Sequence, residues 1–259
     1  MKIEIKKVQN GILRVTTTDE RWYQIGETFL PSVTWICGHY PKGIAFYKWL
    51  ADKGWDEAEA IKSAAGDKGS KVHKAIEDIL KGKTVKYDSK YRNPSTEELE
   101  ELTPQEYGCV MSFVDWAKET NPEVIATEYT VINQELGYAG TVDFKAKING
   151  QVYLIDLKTS QQVWPEHELQ VSAYKHADKG VEKLAILQVG YNRNKAKYKF
   201  TDIEDKFDLF LAARQIWVNE TAGTVPLQKD YPLTLSWKKP VEKKPRTKKV
   251  AVRRKVQVA

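Results

Sequence analysis

The dipeptide Asn149-Gly150 constrains this chain more than any other feature of its 259 residues. It separates GYAGTVDFKAKI from QVYLIDLKTS, two apolar and β-branched runs, and so specifies a two-residue type I′ turn, whose central positions both need positive φ. Ile148 then faces Gln151, and the pairing carried back from the turn sets Asp143 opposite Asp156 and Thr141 opposite Lys158. Counted from the turn, the two acids fall on a non-hydrogen-bonded pair, with Cα atoms about 4.5 Å apart. Side chains alternate along a strand, so Tyr153, Ile155 and Leu157 share one face while Leu154, Asp156 and Lys158 share the other. Like charges set directly opposite destabilise a sheet. The arrangement therefore calls for a cation or a raised pKa, and a divalent metal supplies the first. The plainer alternative is a solvated face on which Lys145, Lys147 and Lys158 partner the acids.

Around this hairpin the pattern alternates between strand and helix. Residues 2–9 and 12–18 flank Asn10-Gly11 as an opening hairpin, and 23–29 adds a strand. After PSVT at 31–34 the periodicity turns helical, over 44–53, 56–65 and 70–80. The last carries Val72, Ala75, Ile76, Ile79 and Leu80 as its apolar stripe. Residues 81–101 are polar and read as loop. Thr103, Pro104 and Glu106 form a capping box that opens a helix to Glu119. Strands are expected at 124–133, 138–148 and 151–158, and Pro165 starts a helix reaching about residue 178. A buried strand at 185–191, a second at 197–201 and a helix capped by Thr201 and Glu204 and running to Thr221 complete the pattern. An antiparallel meander, a crossover helix and further sheet make an α/β layered domain.

Eight Trp, 13 Tyr and 7 Phe supply a globular core. No apolar run approaches the roughly 18 residues of a membrane span, and MKIEIKKVQN lacks the apolar centre of a signal peptide, so a cytoplasmic protein is expected. Cys37 and Cys109 imply no disulfide framework, zinc site or iron–sulfur cluster. The net charge of +6 is misleading: residues 238–259 alone carry +9, which leaves about −3 for the rest. The high pI reports a basic, Pro-containing tail expected to be disordered, not a basic body.

Three further positions bear on the paired acids. His73 lies at the edge of the 70–80 stripe, as a core histidine or a ligand; Glu128 lies on the preceding strand, as a surface acid or a site residue; Gln170 and Tyr174 share one helix face after Lys158. The ordered set formed by PSVT, GSKVH with His73, Glu128, AGTVD with Asp143, IDLKT with Asp156 and Lys158, and QVSAY with Gln170 and Tyr174 resembles the PD-(D/E)XK nuclease superfamily. The likeness is to its RecB-like exonuclease branch, the phage, CRISPR-associated and mitochondrial genome maintenance type, over residues 31–190. Val142 replaces the Pro of the superfamily name, and the four cysteines of the iron–sulfur members are absent.

The resemblance implies a restriction-endonuclease-like core, a mixed central sheet flanked by helices, with an N-terminal β-hairpin and a helical insertion. It divides the chain into a hairpin region at 1–30, a nuclease domain at 31–225 and a linker with basic tail at 226–259. It further implies a metal-dependent DNA exonuclease of replication, recombination or repair, in a bacterial or phage-infected cytoplasm. Mg²⁺ or Mn²⁺ would be held by Asp143, Asp156, His73 and the Leu157 carbonyl, with Glu128 acting through water. Lys158 would act on the attacking water or the phosphorane charge, and Gln170 and Tyr174 would position the lysine or the DNA backbone. The implied partners are linear DNA and a recombination or replication protein, with no membrane. A catalytically silent nucleic-acid-binding or scaffold protein of the same fold and an RNA nuclease are the competing readings.

Overall fold

A computed structural model describes residues 4–17, 20–191, 197–221 and 237. The chain falls into a main unit of residues 1–229 and a short second unit of 230–259. Of the second unit only Trp237 is described, so the basic tail lies outside the described residues. Among them no helix is long and apolar enough to cross a membrane.

The Asn149-Gly150 turn forms as its sequence requires, with φ of 50° and 85°. It joins β8 (Tyr138–Ile148) to β9 (Gln151–Lys158), and β7 (Glu123–Asn133) precedes them. With β10 (Lys183–Val189) and β11 (Tyr198–Ile203) they make a five-stranded sheet of order β11-β10-β9-β8-β7. β9 and β10 are parallel, and the other neighbours are antiparallel. The parallel step needs a crossover, which α5 (Pro165–Lys175) supplies. Strand alternation sends Phe144, Ala146, Ile155, Leu157, Ala185 and Leu187 into one core. There they meet Val72, Ala75 and Ile76 of α3 (Trp55–Leu80) and Val110, Phe113 and Trp116 of α4 (Pro104–Thr120). On the other face α5 packs on β9 and β10 and is joined by α1 (Val33–Cys37) and α6 (Phe207–Thr221). This is the mixed α/β core, with flanking helices, that the resemblance implies.

Several elements differ from their sequence reading. The N-terminal segment is a four-stranded meander of β1 (Glu4–Lys7), β2 (Leu13–Thr16), β3 (Arg21–Ile25) and β4 (Thr28–Pro31), not a hairpin plus one strand. The expected strand 23–29 folds back on itself because Gly26 takes φ +58°. Helices 56–65 and 70–80 are one 26-residue helix, α3. Gly66 and Gly69 weaken helix propensity without stopping it, and a Cβ on Gly69 would meet Thr159 Oγ1, just past β9, at an ordinary contact distance of 3.7 Å. Residues 81–101 are not all loop, since β5 (Lys90–Arg92) and β6 (Leu99–Glu101) pair around buried Tyr91. Thr201 lies inside β11 and caps nothing; α6 starts later, where Phe207 N–H donates to Asp205 Oδ1 at 3.2 Å. The remaining helix, α2 (Ile44–Lys53), buries none of its side chains. Its start is tied to α5 by an ion pair between Lys42 and Glu166.

Candidate active site

The β8–β9 ladder runs in the expected register from Ile148–Gln151 to Phe144–Ile155 and ends there, one pair before the two acids. Beyond it the strands part. The Leu157 N–H donates to Asp143 Oδ2 at 2.7 Å, so a carboxylate takes the donor that an unbroken ladder would have turned to the backbone. The acids are thus near one another as the turn requires, but the predicted direct Asp143/Asp156 and Thr141/Lys158 pairs are not formed.

Asp143 turns toward α3, where His73 Nδ1 lies 3.4 Å from its Oδ1. Glu128 comes to the same point from β7, its backbone at φ +47° although it is not glycine. Such a conformation is uncommon for a non-glycine residue in a strand and clusters at functional sites. One atom each from His73, Glu128 and Asp143 lies within 4.8 Å of the others. Asp156 makes a different set of contacts. Its Oδ1 accepts from Gln170 Nε2 at 3.0 Å, and its Oδ2 lies 2.6 Å from Lys158 Nζ. That ion pair is the one polar contact of the buried Oδ2 among the described residues. Gln170 also donates to the Tyr174 hydroxyl at 3.0 Å, which fixes the amide. Tyr174 in turn fits because Gly140 has no side chain: an added Cβ would sit 2.3 Å from Tyr174 Cε1.

Charge and burial set the ionisation of the group. Burial raises Asp156, and Asp143 adds to this against the opposing pull of Lys158. Burial also opposes the charge on Asp143, but His73, Lys158 and the Leu157 N–H outweigh it and hold this carboxyl low. Burial lifts Glu128 to about 6, with Asp143 as the next cause. Lys158 and His73 would both be lowered by burial; the surrounding carboxylates outweigh it, and both are raised. Lys158 is accordingly an ammonium held against Asp156.

All the sequence-derived residues except Leu157 line one cleft of about 410 Å³. Leu157 enters through its N–H. The donor set suits a hard divalent cation, being two carboxylates and one imidazole in reach of one another, with the buried, lysine-paired carboxylate of Asp156 close by. The sequence reading gave Glu128 a role through water and Asp156 a direct one. In the fold Glu128 stands in the three-residue group, and Asp156 stands beside it, engaged by lysine and glutamine. Gly140 lies within the AGTVD motif, but the Tyr174 ring it admits is not legible in the sequence. Lys6, Arg14 and Arg21 also line the cleft and were missed; the signal available was a basic residue recurring on each of three short N-terminal strands.

No protein-family model matches the chain. No curated protein matches it either. Among solved structures, similarity extends to an alkaline exonuclease (LHK-Exo) from Laribacter hongkongensis, at 12% identity and TM-score 0.38, covering 74% of this chain and 86% of that one. It also extends to SSO0001, at 16% identity and TM-score 0.30, covering 48% of this chain and 63% of that one.

Proposed function

We propose that the protein is a metal-dependent nuclease that hydrolyses phosphodiester bonds of DNA from its ends. The observation that carries this reading is the convergence, in one cleft, of the His73, Glu128 and Asp143 group with the Asp156–Lys158 ion pair. A structural ion-pair network has no need of three ligand-type atoms converging beside the Asp156–Lys158 pair. His73, Glu128 and Asp143 would hold Mg²⁺ or Mn²⁺, with Asp156 and the Leu157 carbonyl as further oxygen donors. When bound, the ion would polarise the scissile phosphate and lower the pKa of water.

The side chains of the chain itself do the rest. Lys158 presents its ammonium to the cleft and offsets the negative charge that grows on the phosphate oxygens as water oxygen bonds to phosphorus and the ester oxygen departs. Asp156 holds that ammonium in place, and Gln170 holds Asp156 by a bond to Oδ1. Tyr174, against Gly140, keeps the Gln170 amide from turning. No side chain needs to form a covalent intermediate.

Incubating end-labelled linear DNA, covalently closed circular DNA and linear RNA with Mn²⁺ or with chelator tests the reading. Loss of linear DNA alone, and only with Mn²⁺, is expected. Equal digestion in chelator would remove the metal from the account, digestion of closed circles would make the enzyme an endonuclease, and digestion of RNA alone would move the substrate.

A further inference from the structure

Three cations on the N-terminal sheet have no part in the mechanism above. The register sets Lys6 directly opposite Arg14, and Arg14 opposite Tyr23. Arg21, two residues before Tyr23 and opposite Thr16, lies on the same face. Two like charges facing each other across a ladder need a counter-charge, as the acids do. None is supplied in direct contact, since none of the three forms an ion pair with a carboxylate among the described residues; Glu128 acts on Lys6, and Glu4 on Arg21, only at longer range. Arg21 donates to Thr34 Oγ1 at 3.3 Å, a neutral partner. Arg14 Nε and Thr16 Oγ1 are buried with no hydrogen-bond partner at all. Burial and the neighbouring Arg14 guanidinium hold Arg21 below its ordinary pKa.

This face is turned to the acidic site. Lys6, Arg14 and Arg21 line the same cleft as Asp143 and Lys158. Tyr23 locks the sheet in that position, its hydroxyl 2.9 Å from Thr141 Oγ1, two residues from Asp143 on β8. Guanidinium forks with open donors match phosphate oxygens in charge and in geometry.

We propose that Lys6, Arg14 and Arg21 form a phosphate-binding wall that holds a nucleic-acid strand by a phosphate other than the one being cleaved. The proposal rests on the nuclease reading for its substrate, but the binding needs no cleavage. The shared ligand chemistry is a phosphate anion, supplied either by an internal phosphodiester or by a strand's terminal phosphate.

The test is fluorescence anisotropy of the full chain in chelator, with a 3′-labelled single-stranded oligonucleotide bearing either a 5′-phosphate or a 5′-hydroxyl. The double variant Arg14→Gln/Arg21→Gln is expected to bind about tenfold more weakly, with the slope of log affinity against log salt shallower by about 1.4, the share of two phosphate contacts on a single strand. Lys6→Gln, at an exposed position that does not threaten folding, should flatten the slope by about 0.7. It decides the matter if the arginine variant does not fold. A loss confined to the 5′-phosphorylated strand assigns the terminal phosphate, and an equal loss on both strands assigns an internal one. Unchanged affinity and slope in the folded variants overturn the wall. If the wild type cleaves nothing while these losses appear, the wall stands and the nuclease reading fails; if it cleaves and the variants bind as before, only the wall fails.

Discussion

At Gly140 the missing side chain is what the site requires, because the Tyr174 ring occupies the space a Cβ would take. Gly140→Ala should cost about 1–3 kcal/mol by overpacking, read as a lower urea midpoint, and it should slow cleavage further by displacing Gln170 from Asp156. Unaltered stability would mean that the ring has room to move. His167 offers a test of the local electrostatics. Burial, Lys158 and Lys42 push its pKa down to about 3, and its neutral Nδ1 accepts from the Trp164 N–H at 3.3 Å. Unfolded, the imidazole titrates near about 6.5. Unfolding therefore takes up a proton below that pH, and stability is lost as pH falls from about 6.5 toward 3. His167→Gln should show a shallower decline of urea midpoint over this window; parallel curves would contradict the assignment. That Asp143, Asp156 and Lys158 come together in one cleft was legible because Asn149-Gly150 fixes which residues of the hairpin share a face. The division of labour was not: the ladder's early end and the positive φ of Glu128 are set by tertiary packing, which a period-2 pattern does not encode.

Elements are held to one another by a buried charge cluster that the sequence disguised. Lys71 on α3 lies 2.9 Å from Glu100 on β6 and 3.1 Å from Glu106 on α4. Glu106 also closes the capping box with Thr103, accepting from its N–H at 2.8 Å. One lysine thus ties the site-bearing helix to the start of α4 and to the small β5–β6 pair. Burial works against its charge, yet the two glutamates prevail and raise its pKa. Lys71→Ala leaves Glu106 buried without its counter-ion and should destabilise by about 3–5 kcal/mol, measured by denaturant unfolding, whereas Lys71→Ala with Glu106→Gln should recover part of the loss. The capping box was readable, since it is a local code. The 81–101 segment was not, because its strands are polar and gain their place through Lys71 and Asn93, whose partner Glu100 lies 29 and 7 residues away. α3 was read as two helices for the opposite reason: glycines are local stop signals, and here packing on the sheet overrides them.

For the whole molecule, two charged surfaces meet in one cleft, an acidic group from β7, β8 and α3 and a basic wall from β1, β2 and β3. The main unit is close to neutral or slightly acidic apart from the tail, so its cations act by placement and not by number. The layered α/β architecture followed from element order, and the four-stranded N-terminal meander did not, because short strands joined by Gly11 and Gly26 resemble turns with flanking polar residues. Under the proposed function, Lys158, held by Asp156 beside the His73, Glu128 and Asp143 group, stabilises the charge of phosphodiester hydrolysis. The most direct test of this role is the rate at which wild type and Lys158→Ala hydrolyse end-labelled linear DNA at saturating Mn²⁺. The wild type should digest the DNA, and Lys158→Ala should be slower by about 10²–10³-fold, the usual effect of removing one transition-state charge partner. Equal rates, or no hydrolysis by the wild type, would contradict the account.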